Sequence, residues 1–178
     1  MSAFLHRKGA YDLMHNQQSQ LIGLLDEFAL RGDRKWVSER MFKVACLFGF
    51  AIGLLLLSSP APISQTQQAW QTLLMVVVVS PLLEELLFRG VMQGRLLRLD
   101  WGSRHLFGFT LANLCSSLLF TALHFISHQP LWALSVLFPS LLFGYFRDRH
   151  NSVYPSIALH IFYNAVYFIL PIVISIHV

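Results

Sequence analysis

Two adjacent carboxylates lie inside an otherwise apolar stretch. The residues from Ser80 to Gly90 read Ser-Pro-Leu-Leu-Glu-Glu-Leu-Leu-Phe-Arg-Gly. An ionisable side chain at the centre of a membrane helix costs roughly 2.5 to 3.5 kcal/mol, so such residues are functional candidates. Glu85 and Arg89 are four residues apart with the acid first, which favours a helical ion pair. Glu84 lies about 100° further round the helix and is left free for chemistry. A simple boundary ion pair would explain Glu85 and Arg89 but not Glu84.

A histidine closes a polar face in the next apolar stretch, which contains Phe120-Thr121-Ala122-Leu123-His124. Polar residues recur before His124 at spacings of three and four: Asn113, Ser117 and Thr121. Such a face normally packs inward against other helices. A lone histidine near the end of a span is commonly structural, so a role for His124 depends on other ionisable groups converging on it.

The last apolar stretch carries Ser156, His160 and Asn164 at intervals of four residues, which places His160 and Asn164 one turn apart on one helix face. Taken alone, this pair could be interhelical polar contacts. Three separate stretches thus contribute polar groups, and buried polar groups need partners. We expect them to share one site.

These residue types can together catalyse the addition of water to an amide. A carboxylate such as Glu84 can, together with a histidine, bind and deprotonate water. A second histidine with an asparagine can donate hydrogen bonds to a developing oxyanion. The chain has no His-Glu-x-x-His string. Glu84, His124 and His160 would nevertheless make a plausible zinc site, and the residues alone leave that alternative open.

The elements that position these residues are predicted to be membrane-spanning helices. The chain of 178 residues is 55% hydrophobic and 12% charged, about half the charged fraction of soluble domains. Apolar stretches near the roughly 20 residues needed to cross a bilayer predict five spans: 41–59, 70–99, 106–126, 131–146 and 154–176. The predicted fold is all-α, a polytopic bundle (41–178) after a cytoplasmic tail (1–40). Within the tail, 21–30 is predicted to be an amphipathic interfacial helix, with a loosely ordered tail as the alternative.

The basic residues alternate with these spans. All 13 Lys and Arg precede or begin span one, lie from Arg89 to Arg104 at the end of span two and before span three, or lie between spans four and five. The positive-inside rule then predicts a cytoplasmic N-terminus and an outer C-terminus. Because the charges are dispersed along the chain, they argue against a nucleic-acid partner.

The motifs resemble, in order and each on its own helix, those of the CPBP family. This family comprises type II CAAX prenyl proteases and bacteriocin-processing and abortive-infection-type proteins. The matching residues are Glu84-Glu85-x-x-x-Arg89-Gly90, Phe120-x-x-x-His124 and His160-x-x-x-Asn164.

The resemblance implies a four-helix catalytic core over about 69–178 and a glutamic-type intramembrane endopeptidase without a metal or other cofactor. Glu84 and His124 would activate water, and His160 and Asn164 would stabilise the oxyanion. Structural support would come from Glu85, Arg89 and Phe120.

The implied partners are the lipid bilayer and a membrane-associated protein or peptide substrate. The chain has fewer predicted spans than eukaryotic CAAX enzymes, which argues against assuming a prenylated substrate. The string 145–149 resembles a compact bacterial subgroup thought to trim C-terminal sorting tails. A processing tail in the bacterial inner membrane is therefore one expected substrate.

Two other classes of protein compete with this interpretation. A non-catalytic scaffold, such as an immunity or partner-binding protein, would not need all four polar residues. A transporter is disfavoured because the sequence lacks an inverted repeat. One geometric difficulty remains: His124 should lie near the far end of span three, so we expect that span to start low, tilt or end part-way. A separation of more than about 8 Å from Glu84 would count against the mechanism.

Overall fold

The computed structural model describes residues 28–30, 32, 34–57 and 70–177, together with Gln17 and Gly23. Most of the predicted tail 1–40, including six of the ten residues of the predicted interfacial helix 21–30, lies outside these residues. The boundary between tail and bundle therefore stays a prediction.

The described chain is mostly helical. Its helices are α1 (Arg40–Leu56), α2 (Trp70–Leu96), α3 (Leu111–His124), α4 (Pro130–Ser135), α5 (Leu137–His150) and α6 (Tyr154–His177). A 3-10 turn at Arg34–Ser38 precedes α1. Helix α6 packs against α1, α2 and α5, and α5 also packs against α3. The polar residues of α2, α3 and α6 therefore point into one bundle.

A short hairpin corrects the purely α-helical prediction. Strands β1 (His105–Leu106) and β2 (Phe109–Thr110) pair antiparallel, so the helix of span three starts at Leu111 rather than at Leu106. Phe107 and Gly108 both have positive φ, as a two-residue type I′ hairpin turn requires. The apolar side chains of this turn made it resemble part of a span.

Two of the described helices are long and apolar enough to cross a membrane, Trp70–Leu96 and Tyr154–Ile174. Helix α3 has 14 residues, or about 21 Å, against roughly 30 Å of hydrocarbon. Span four is split at Val136 into α4 and α5. The predicted count of five spans is therefore not confirmed. The position of His124 predicted a third helix that starts low, tilts or ends part-way, and the observed helix is shorter than a full span.

Helix α2 contains two π-helical segments, Met75–Val79 and Leu86–Met92, on either side of the turn with the two glutamates. The amide of Ser80 donates to Met75 rather than to the carbonyl of Val76. The next possible donor to Val76 is Pro81, which has no N–H. Pro81 thus leaves a backbone carbonyl that a side chain must satisfy.

Small residues let α1 approach α6 closely. Ala45, Gly49 and Gly53 recur every four residues and are buried. A Cβ on Gly49 would overlap the ring of Tyr163, and one on Gly53 would overlap Val166. The hydroxyl of Tyr163 donates to the carbonyl of Ala45 at 2.8 Å. This small-residue seam is a common solution for helix packing in membranes.

Replacing Gly49 with valine should lower the free energy of unfolding by about 1–3 kcal/mol, because the new side chain would overpack the seam. Thermal unfolding in detergent measures the effect. Ala51 lies on the exposed face of the same helix, so Ala51→Val is the matched control. Equal melting temperatures for the two variants would contradict the packing.

Candidate active site

The central turn of α2 holds one buried and one accessible carboxylate. The Glu85 side chain is fully buried, whereas that of Glu84 is 35% exposed. Arg89 donates from Nε to Glu85 Oε2 at 3.2 Å. The predicted ion pair is therefore present, and Glu84 is the carboxylate that another molecule can reach.

Three serines complete the surroundings of the buried guanidinium. Arg89 donates to the hydroxyls of Ser116, Ser117 and Ser140 at 3.3, 3.2 and 2.6 Å. Ser117 belongs to the predicted polar face. Ser116 and Ser140 were missed, and their only signal in the sequence is a small polar residue within an apolar helix. The cage anchors Arg89, and through it Glu85, to α3 and α5.

His160 lies between the two glutamates. Its Nδ1 is 2.9 Å from Glu85 Oε1, and its Nε2 is 3.8 Å from Glu84 Oε2. The ring stacks on Phe143 at a centroid distance of 5.0 Å. A carboxylate only accepts hydrogen bonds, so Glu85 fixes the proton on Nδ1 and directs Nε2 towards Glu84.

Asn164 is oriented by the backbone carbonyl of Val76, which receives no amide hydrogen bond from Pro81. Its Nδ2 donates to Val76 O at 2.8 Å. An amide nitrogen carries two hydrogens, so this bond occupies one and leaves a second for another acceptor. Asn164 is thus oriented by α2, one turn beyond His160.

His124 is linked to the other polar residues of the site by its contacts with Phe120. Its Nδ1 is 2.8 Å from the carbonyl of Phe120. The Phe120 ring centroid lies 4.5 Å from that of His124 and 6.1 Å from that of His160. Because a carbonyl only accepts, Nδ1 carries the proton and a neutral His124 has Nε2 free as a base or acceptor.

The polar face of α3 points inward, as its spacing predicts. Asn113, Ser117 and Thr121 are all buried. Asn113 Nδ2 donates to Leu141 O at 2.9 Å, and Ser117 donates to Asn113 Oδ1 at 3.0 Å. These bonds fix the rotation of α3 and hence the side on which His124 emerges.

The described side chains do not form the group of three ligands that the zinc alternative requires. Within the described ranges, no three His, Cys, Asp or Glu side chains form a group that could hold one metal ion. Glu84, His124 and His160 are included in that statement. The arrangement offers instead an accessible carboxylate, two oriented imidazoles and an amide donor.

The comparisons with known proteins agree with the motifs. The family model described as type II CAAX prenyl endopeptidase Rce1-like matches residues 66–166, more than half of the chain and all seven predicted site residues. No curated protein and no solved structure matches the chain. This family and the two long apolar helices together indicate a membrane protein with protease ancestry. The chain belongs to the type II CAAX prenyl endopeptidase Rce1-like family.

Proposed function

We propose that this protein is an intramembrane endopeptidase that hydrolyses a peptide bond of a membrane-associated protein, using water activated by Glu84 and histidine. The observation that carries the proposal is the placement of His160 between a buried and an accessible carboxylate, with His124 on the other side of Phe120. Glu85 acts through His160 and is a positioning residue.

In the proposed reaction, Glu84 takes a proton from water as the water oxygen adds to the scissile carbonyl carbon. His124 Nε2 accepts the water's other hydrogen bond and orients it. The oxyanion that forms accepts from the second N–H of Asn164 and from a doubly protonated His160. Two flanking carboxylates match the positive charge of that ring. The proton on Glu84 then passes to the amide nitrogen as the C–N bond breaks.

The exposure of Glu84 supports entry of the substrate from the side of α2. Glu84 is accessible, and its neighbours Leu82, Leu83 and Leu87 are exposed apolar residues suited to a lipid-embedded chain. A C-terminal tail anchored in the bilayer is the substrate class that we propose. We place the N-terminus in the cytoplasm and the C-terminus outside the inner membrane, on the strength of the charge alternation.

Proteolysis by the full-length protein in vesicles tests this function. A panel of membrane-anchored tail peptides would be incubated with and without a strong chelator, and new termini identified by mass spectrometry. The proposal expects cleavage that the chelator spares. Loss of cleavage that zinc restores would favour the metalloprotease alternative, and no cleavage of any peptide would favour the non-catalytic scaffold.

Replacing Asn164 with alanine should lower kcat by about 10²–10³, the usual cost of removing one oxyanion donor. Steady-state kinetics on a cleaved peptide measures it. Tyr163→Phe is the matched control, because Tyr163 lies on the same helix as Asn164 and also donates a 2.8 Å bond to a backbone carbonyl of a neighbouring helix. If both variants lost activity only in proportion to their stability, Asn164 would have a structural role alone.

A further inference from the structure

A cavity lies at the end of the bundle where α2 ends and α6 begins. It has a volume of about 540 Å³. The hairpin supplies one wall and the last two turns of α5 the other. Its lining includes Leu97, His105, Phe109, Tyr145, Arg147 and Arg149. Gln93, which borders this region through Asp148, is eight residues beyond Glu85, about 12 Å along the helix. The cavity is therefore separate from the candidate active site.

The cavity contains a buried cation whose charge is poorly matched. The Arg147 side chain is 6% exposed, and its Nη1 is 3.4 Å from Asp148 Oδ1. That carboxylate already accepts from Thr110 at 2.6 Å and from Gln93 at 2.8 Å. Burial lowers the pKa of the Arg147 guanidinium, and nearby Arg98 lowers it further against the opposing effect of Asp148. The Asp148 carboxylate therefore accepts hydrogen bonds from three donors.

Two further cationic or titratable groups line the same space. Arg149 is 47% exposed and pairs with Glu39, which reaches over from the start of α1. His105 is exposed on β1. When Arg98 near the wall is included, the positively charged groups around the cavity outnumber the two carboxylates, Asp148 and Glu39. An anion would complete the balance of charge.

The remaining wall is apolar and aromatic. The rings of Phe109 and Tyr145 meet edge to face at 6.5 Å, and Leu97 follows the end of α2. A ligand that suits this lining has a compact anionic group and an apolar part beside it. Such basic pockets at helix ends near the membrane surface are typical binding sites for anionic lipid headgroups.

We propose that this cavity binds a phosphate ester, and that its source is the headgroup of an anionic phospholipid. The guanidinium groups of Arg147 and Arg149 would contact the phosphate oxygens, and His105 would donate from the hairpin. A soluble phosphate ester has the same anionic chemistry, so the test must separate the two sources.

Native mass spectrometry of the full-length protein, released from vesicles of mixed phosphatidylcholine and phosphatidylglycerol, measures which lipid is retained. We expect selective retention of phosphatidylglycerol, weakened about tenfold by Arg149→Gln. Arg104→Gln is the matched control, because Arg104 is exposed, carries the same charge and lies outside the lining. It should leave retention unchanged.

Arg149→Gln also removes the contact with Glu39, so His105→Ala provides a second variant that keeps this contact. It should weaken retention in the same direction. Equal retention of the two lipids, or equal effects of Arg149→Gln and Arg104→Gln, would overturn the proposal. Displacement of the lipid by soluble glycerol phosphate would overturn the lipid source and assign the cavity to a soluble ester.

Discussion

Replacing Glu84 with glutamine should lower kcat by about 10²–10⁴, the usual contribution of a positioned general base. Glutamine keeps the size of the side chain but cannot accept a proton from water. The free energy of unfolding should change by less than about 0.5 kcal/mol, as for other substitutions at accessible positions. The reason is that Glu84 is partly exposed and its contact with His160, at 3.8 Å, is longer than a hydrogen bond.

The neighbouring glutamate provides the contrast. Glu85→Gln makes the same chemical change at a fully buried position that contacts both Arg89 and His160. It should reduce stability as well as activity. Thermal unfolding and peptide cleavage would be measured on both variants in the same vesicles. A Glu84→Gln protein that cleaves at the normal rate would remove Glu84 from the mechanism.

Replacing Arg89 with methionine should lower the free energy of unfolding by about 3–5 kcal/mol, because Glu85 would be left as a buried charge without its cation. Arg89 is fully buried and also holds three serine hydroxyls from α3 and α5. The substitution would therefore remove these links from α2 to α3 and α5 and leave the three hydroxyls without a donor. Denaturant unfolding in detergent measures the loss.

Two variants control this prediction. Arg98→Met makes the same change at an exposed position and should have little effect. The double variant Glu85→Gln, Arg89→Met removes both charges and should recover part of the stability. An Arg89→Met protein as stable as Arg98→Met would show that the buried cage does not hold the helices together.

The spacing of the polar residues, together with the free-energy cost of placing ionisable groups in lipid, was enough to predict much of the site. A pair at i and i+4 predicts the contact of Glu85 with Arg89, and helical periodicity predicts the inward face of Asn113, Ser117 and Thr121. Both depend on local geometry that one helix determines by itself. The family resemblance, confirmed by the family model, added the order of the motifs.

The contacts between helices could not be predicted in the same way. Nothing in the local sequence identifies Ser140 as the hydroxyl nearest to Arg89, because that contact depends on how α5 crosses α2. The pairing of Asn164 with Val76 requires the π-helical backbone around Pro81, which the local sequence does not specify. The hairpin at Leu106 and the break at Val136 have apolar sequences, so hydropathy alone merges them with spans.

The separate roles of the two histidines also could not be predicted without the contacts between helices. The family resemblance grouped Glu84 with His124 and assigned His160 to the oxyanion. In the structure, Glu84 Oε2 lies 3.8 Å from His160 Nε2, and the rings of both histidines lie against Phe120. Our proposal keeps both roles, because His124 has its Nε2 free and His160 is matched by two carboxylates.

The most direct test of a shared site is a double-mutant cycle on kcat/KM with Glu84→Gln, His124→Ala and the two combined, measured on one vesicle-embedded peptide. Residues that act on the same water behave as a unit, so their effects do not add. We predict that the double variant is about as slow as the slower single variant. If the two losses instead multiply, Glu84 and His124 act independently, and a single water-activating centre is contradicted.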